Sequence, residues 1–251
     1  MDAVLDALAA QQAELSTLLS PLDDRQWHTA TRCPGWDVAD VVLHLVQTNQ
    51  MAIGSATGRL GEVAAELVGE RAPAGSVDDG AAWLVERQRG LAPDVLLDRW
   101  SSGAAHLLAA LEGLDLSTRV DWVAGQLSAR SLATTRIAET WIHTGDVAAA
   151  VGVTLVPTDR LRLVARLAWR TLPYAFDTAG RSMTGPVAFR LVGPGGDAWD
   201  FEPDQPALTT ISGSALELCE VAARRRLAAD TVLAGEGPDA EAVLALVRTY
   251  A

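Results

Sequence analysis

Apolar residues at Val4, Leu5, Leu8, Leu15, Leu18 and Leu19 recur at helical spacing and predict an amphipathic helix that Pro21 stops. In the connector that follows, D-D-R-Q-W-H-T-A-T-R-C-P-G-W, Pro34-Gly35 marks a turn. Asp37 is then placed to cap a second helix reaching about Thr57, with Asp40 three residues on. Its run D-V-V-L-H-L-V is apolar around one histidine, His44. Arg59–Ala92 reads as helix broken by a loop at Pro73 and Gly75, and Pro93 suits the first turn of a helix that ends at Gly113. A polar connector through Gly125 leads into Thr135–Val151, T-R-I-A-E-T-W-I-H-T-G-D-V-A-A-A-V, helical by the spacing of Ile137, Trp141 and Ala148 and ended by Gly152. Pro157-Thr158-Asp159 opens one more helix. Long helices joined by connections of variable length predict a bundle.

After about Ser182 the period changes. V-A-F-R-L-V alternates, G-P-G-G turns and D-A-W-D-F-E alternates again, which predicts a β-hairpin with a four-residue loop. A strand at Ala207–Ile211, a helix over Ser214–Leu227, a strand at Thr231–Ala234 and a closing helix over Pro238–Tyr250 follow. The expected class is mainly α: a helical bundle over residues 1–180 and a small α+β domain over 181–251.

Chemistry concentrates in Thr135–Val151. Glu139 and His143 are four apart, so their side chains stack on one helical face, and a carboxylate beside an imidazole can share a divalent metal. A third ligand must come from elsewhere, and His44 is the best placed. Packed, hydrogen-bonded core histidines would show the same pattern.

Composition removes several alternatives. The net charge of −12 disfavours a nucleic-acid backbone or an anionic membrane as partner. All 20 basic residues are arginine, which excludes a Schiff-base lysine and a P-loop lysine. The two cysteines, Cys33 and Cys219, form no CxxC and read as small buried hydrophobes. Without a secretory signal or a long apolar run, a reduced cytoplasmic protein is expected. His28 and His106 have no partner at ligand spacing, while Trp36 and Trp141 are expected to line the bundle interior.

P-G-W-D-V-A-D-V-V-L-H-L, E-T-W-I-H-T-G-D-V-A-A-A-V-G and the α+β tail together resemble the mycothiol-dependent maleylpyruvate isomerase family, of the DinB-like metal-binding four-helix-bundle superfamily. The tail is similar to a sterol-carrier-protein-like domain. Through G-S-A-L-E-L-C-E-V-A-A-R-R-R-L-A-A-D and G-P-D-A-E the closer resemblance is to an uncharacterised actinobacterial metal-binding branch. The resemblance implies that His44, Glu139 and His143 bind a divalent metal, with zinc foremost and nickel, iron or manganese compatible with the same donors. Three protein ligands leave a position for water or substrate. Asp40 and Asp146, within a turn of His44 and His143, are candidates to orient the two imidazoles, with a helix cap and a surface charge as the alternatives. In the arginine run Arg224-Arg225-Arg226 the resemblance implies an anion-binding residue, assigned here to Arg225; a solvated basic face is the alternative.

The implied activity is isomerisation or conjugation of a small, anionic, electrophilic substrate by a low-molecular-weight thiol of the mycothiol type. Alternatives are a hydrolase or lyase using metal-bound water, and a non-catalytic protein binding a metal and a small ligand. A monomer or a homodimer is expected, with neither nucleic acid nor membrane as partner.

Overall fold

Residues 2–69, 76–123 and 125–249 are described in the computed structural model of the chain. The loop expected at Pro73 and Gly75, and the end of the closing helix at Tyr250, lie outside them. The chain divides into two units, Met1–Leu155 and Val156–Ala251.

The first unit begins with α1 (Ala3–Leu19), the short α2 (Asp24–Trp27) and α3 (Val38–Ala56), followed by α4 (Leu60–Val68) and α5 (Val77–Gln88). Next come α6 (Pro93–Glu112), a hairpin of β1 (Arg119–Trp122) and β2 (Gly125–Ser128), and α7 (Ala129–Ala150). The long helices α1, α3, α6 and α7 form the bundle, with α3 packed on α6 and α7, and α1 on α7 and α6. Leu8, Leu15, Leu43, Leu45, Leu96, Leu107 and Leu111 are sealed inside it. Trp100 of α6 is buried among them and donates its indole N–H to Ser16 Oγ of α1 at 2.9 Å, so its one polar atom is satisfied.

The start of α3 is fixed twice. Asp37 Oδ1 accepts the Asp40 backbone N–H at 2.9 Å and Asp40 Oδ2 accepts that of Asp37 at 3.3 Å, a reciprocal cap. Arg89, just past α5, then grips Asp40 with Nε and Nη2, each at 2.9 Å, and reaches Gly35 O at 3.1 Å. The α7 helix starts earlier than its apolar spacing indicated, because Ser128 caps it by accepting from the Ser131 N–H at 3.1 Å.

The second unit holds α8 (Leu161–Arg170), α9 (Leu172–Thr178), β3 (Val187–Val192), β4 (Ala198–Phe201), β5 (Thr209–Ser214), α10 (Ala215–Ala222), β6 (Ala234–Glu236) and α11 (Ala240–Leu246). Its sheet runs β4-β3-β5-β6. The expected β3–β4 hairpin is present, and β5 lies parallel to β3 on the other side. Phe189, Leu191, Trp199 and Phe201 point inward, alternating with outward Arg190 and Asp200.

The division falls between Leu155 and Val156 rather than at 180/181 because α8 packs on α10 and β4. The Trp169 indole N–H donates to Val187 O at 2.7 Å, and its ring lies 6.1 Å from that of Phe201. α10 is also shorter than expected: Arg224 takes a left-handed φ of 59°, the N–H of Arg225 bonds Glu220 O and that of Arg224 bonds Val221 O, closing the helix.

Candidate metal centre

Two helices deliver the donors. His44 sits in the second turn of α3, whose start is clamped by the Asp37–Asp40 cap and Arg89. Glu139 and His143 are one turn apart on α7, which packs against α3. Their ligand atoms all lie within 4.8 Å of one another. His44 Nε2 is 3.5 Å, and His143 Nε2 3.9 Å, from the same oxygen, Glu139 Oε2. Donors arranged tetrahedrally around a cation at bonds of about 2.0–2.1 Å stand roughly 3.4 Å apart. The three side chains therefore fit a small divalent cation, and the set of two imidazoles and a carboxylate suits zinc.

The donors are largely closed from water, with His44 9% and His143 5% exposed. The two imidazole rings meet edge to face at 5.0 Å, and the half-buried Trp36 ring lies 5.2 Å from His44 on another side. His143 presents its other nitrogen to Asp146: Nδ1 and Oδ2 are 3.0 Å apart, and Asp146 is fully buried. With the proton on Nδ1, Nε2 is left as the donor facing Glu139. Cys33 closes this arrangement from the connector before α3. Its thiol donates to Asp146 Oδ2 at 3.4 Å, and Sγ lies 3.9 Å from His143 Nδ1. Cys33, His143 and Asp146 form a second group with metal-ligand potential.

A fourth ionisable residue on the buried stripe of α7 is Arg136, one turn before Glu139 and 1% exposed. Its Nη2 donates to Thr48 Oγ1 at 2.9 Å and its Nε to Asn49 Oδ1 at 3.3 Å.

These neighbours set the protonation states. Burial acts to raise the Glu139 pKa, but the His44 hydrogen bond and the charges of Arg136 and His143 outweigh it and hold the carboxyl at about 2. Burial acts to lower the His143 pKa, and the contacts with Asp146 and Cys33 and the Glu139 charge override it, bringing the imidazole to about 9. For His44 burial dominates, aided by the cationic His143 and Arg136, and its pKa falls despite Glu139.

Of the residues singled out in the sequence, His44, Glu139, His143 and Asp146 come together. Asp40 does not join them. Its carboxylate is taken up by the α3 cap and by Arg89, so it acts on the helix that carries His44 and not on the imidazole. Arg225 belongs to the second unit, half-buried in the turn after α10, with Nη1 donating to Ala223 O at 2.9 Å. Its neighbours are engaged as well: Arg224 donates to Ala245 O, and Arg226 pairs with Glu217 and Glu220. His28 pairs with Asp37 near the surface, and His106 is exposed. Cys219 is fully buried, and burial pushes its thiol pKa up, as an inert core thiol requires. Cys33 is no such residue, and with Arg136 it is what the sequence reading missed. The spacing of Arg136, Glu139, His143 and Asp146 along one helix face was a signal for Arg136; nothing periodic marks Cys33.

Comparison with known proteins agrees with this architecture. The model of the mycothiol maleylpyruvate isomerase N-terminal domain matches residues 8–148. Two uncharacterized proteins of Mycobacterium tuberculosis, MT0041 of strain CDC 1551 / Oshkosh and Rv0036c of strain ATCC 25618 / H37Rv, are each 34% identical to the chain over 249 residues, covering 97% of it and 93% of themselves. Two crystal structures of the mycothiol-dependent maleylpyruvate isomerase, one of them a histidine-to-alanine mutant, share the fold over 94% of both chains. Their TM-scores are 0.61 for the mutant and 0.60 for the other, at 18% and 21% identity. The chain, a mainly α-helical bundle followed by a smaller α+β domain, therefore belongs to the mycothiol maleylpyruvate isomerase N-terminal domain family.

Proposed function

We propose that the chain is a divalent-metal-dependent enzyme that uses a low-molecular-weight thiol of the mycothiol type to isomerise or conjugate a small, anionic, electrophilic substrate. The observation that carries this reading is the convergence of His44 Nε2, Glu139 Oε2 and His143 Nε2, three donors from two helices. Zinc is the proposed ion. Three protein donors leave one position for an exogenous ligand, the pattern of catalytic rather than structural sites. When bound, the cation supplies the positive charge that deprotonates a thiol near neutral pH.

The chain's own residues prepare that chemistry. Asp146 engages Nδ1 of His143, so that Nε2 is the nitrogen left to meet a metal once its proton is displaced, and the Trp36 ring lies beside His44. Glu139 stays ionised because His44, Arg136 and His143 outweigh its burial. Arg225 is proposed as an anion-binding residue of the second unit, through the guanidinium fork. A reduced thiol calls for a reducing compartment, and the cytoplasm is proposed. No helix among the described residues is long and apolar enough to cross a membrane.

A hydrolase or lyase would need a carboxylate available as general base beside the donors. Glu139 is itself a donor, and Asp146 is occupied by His143 and Cys33, which favours the thiol reading. Metal analysis of the purified protein, then calorimetric titration of mycothiol into metal-loaded and metal-free samples, tests it. About one metal per chain and heat only from the loaded sample are expected. No metal uptake overturns the metal reading, and no heat from the loaded protein overturns the thiol.

A further inference from the structure

Arg136 presents an electrostatic problem that the three donors alone do not explain. It is a guanidinium sealed inside the bundle at 1% exposure, yet both its hydrogen-bond acceptors, Asn49 Oδ1 and Thr48 Oγ1, are neutral. Among the described residues no carboxylate pairs with it directly. A buried cation is costly without a counter-charge, and the nearest on its own helix face is Glu139, one turn on. Thr48 lies one turn after His44 on α3, so the Arg136–Thr48 bond marks the bundle layer next to the three donors. Asn49 Nδ2, beside this bond on a residue with 0% exposure, has no hydrogen-bond partner.

Loading a metal consumes the one negative charge that balances Arg136, because Glu139 becomes a ligand. Glu139 and Asp146 then supply two negative charges and Arg136 one positive, while ligating imidazoles are neutral. A divalent cation leaves the closed centre one charge positive. Water or a neutral donor at the remaining coordination position does not change that sum, whereas a singly charged anion cancels it.

We propose that Arg136 is the residue that makes this position select a monoanion, such as a thiolate, over a neutral ligand. The inference rests on the metal reading above and deepens it by naming the charge class of the exogenous ligand. Arg136 is a positioning residue: it acts through the field at the centre, and no contact with the ligand is required. A purely structural Arg136 would only tie α7 to α3 and would treat charged and neutral ligands alike.

The test uses the full-length protein loaded with cobalt(II), whose visible absorption reports ligand exchange. Azide and 2-mercaptoethanol, the latter bound as its thiolate, are the monoanionic probes and imidazole the neutral one. Replacing Arg136 by Met is expected to weaken azide and thiolate binding about tenfold, the order of effect of one charge in a partly screened interior, while imidazole affinity moves less than about twofold. Arg136→Lys restores the charge and is expected to restore azide binding. Should the Met variant not fold, Arg136→Gln keeps a donor for Thr48 and Asn49 and serves in its place, with the same expectation. Unchanged azide affinity, or equal losses for azide and imidazole, overturns the proposal while leaving the metal centre standing. Failure of the wild-type protein to take up cobalt overturns both.

Discussion

His143 is the residue whose two nitrogens are most tightly committed: Nε2 faces Glu139 and Nδ1 faces Asp146. Two flanking carboxylates hold its pKa at about 9 despite burial, so metal-free protein at neutral pH carries a proton that any cation must displace. Metal affinity, measured by competition with a chelating indicator, is therefore expected to rise about tenfold per pH unit up to about pH 9. A flat profile would mean that the imidazole binds metal without losing a proton. His143→Ala is expected to reduce metal content from about one per chain to none while the helical circular dichroism persists; full occupancy would show that the donors are assigned wrongly. Asp146→Ala is expected to retain the site but weaken metal binding roughly 10–100-fold, read by the same competition assay. That His44, Glu139 and His143 would lie together was legible in the sequence, because an i, i+4 carboxylate–imidazole pair and a histidine in an apolar run leave visible marks, and the family resemblance joined them. Cys33 was not legible. It reaches Asp146 from a connector 113 residues away, and only the fold creates that proximity. Arg136 stood on the right stripe, but an arginine with neutral partners inside a bundle contradicts the usual pattern for buried charge.

At the level of elements, capping chemistry was the dependable guide. Asp37 begins α3 as its sequence indicated, and Asp37→Ala is expected to lower unfolding stability by about 1 kcal/mol in a denaturant titration. What Asp40 does beyond the cap depended on Arg89, which is 49 positions distant and outside any local window. Strand pairing was harder to read. β1 falls within the stretch that reads as a polar connector through Gly125 and β2 begins where that stretch ends, since four-residue strands with little apolar alternation carry almost no signal. The parallel β3–β5 pair is a matter of topology that hairpin spacing does not encode. The chain after β6 depends on Gly237, which adopts φ +103° where an added Cβ would run into the backbone of Leu208 and Thr209. Gly237→Ala is expected to destabilise the protein by more than about 1 kcal/mol, visible as a lower midpoint in the same titration.

For the molecule as a whole, the titrating groups of the centre set how stability changes with pH. His143 rises from 6.5 to about 9 on folding, so its contribution is complete below pH 6.5 and is lost as pH climbs through about 9. Glu139 falls from 4.5 to about 2, so its contribution is complete above pH 4.5 and is lost as pH drops through about 2. The His44 pKa falls on folding, so its contribution is complete above pH 6.5 and is lost as pH drops below that value. Metal-free protein is thus expected to be most stable near pH 6.5 and to lose on the order of 3 kcal/mol through His143 by pH 9, measured by urea unfolding. Stability in saturating zinc is expected to diverge upward from the metal-free curve over the same rise. The change of period near Ser182 marks a two-part organisation, while the structure divides between Leu155 and Val156. α8 looks like one more bundle helix by pattern, and only Trp169 bonding to Val187 reveals that it covers the sheet.

The indole of Trp36, 5.2 Å from the His44 ring, has a practical corollary. It is a built-in fluorophore at the threshold of the centre, close enough for a paramagnetic ion seated there to extinguish its emission. Quenching by copper(II) or cobalt(II) would then follow occupancy without any attached dye, and Trp36→Phe would remove this indole's share of that signal while the ion still bound.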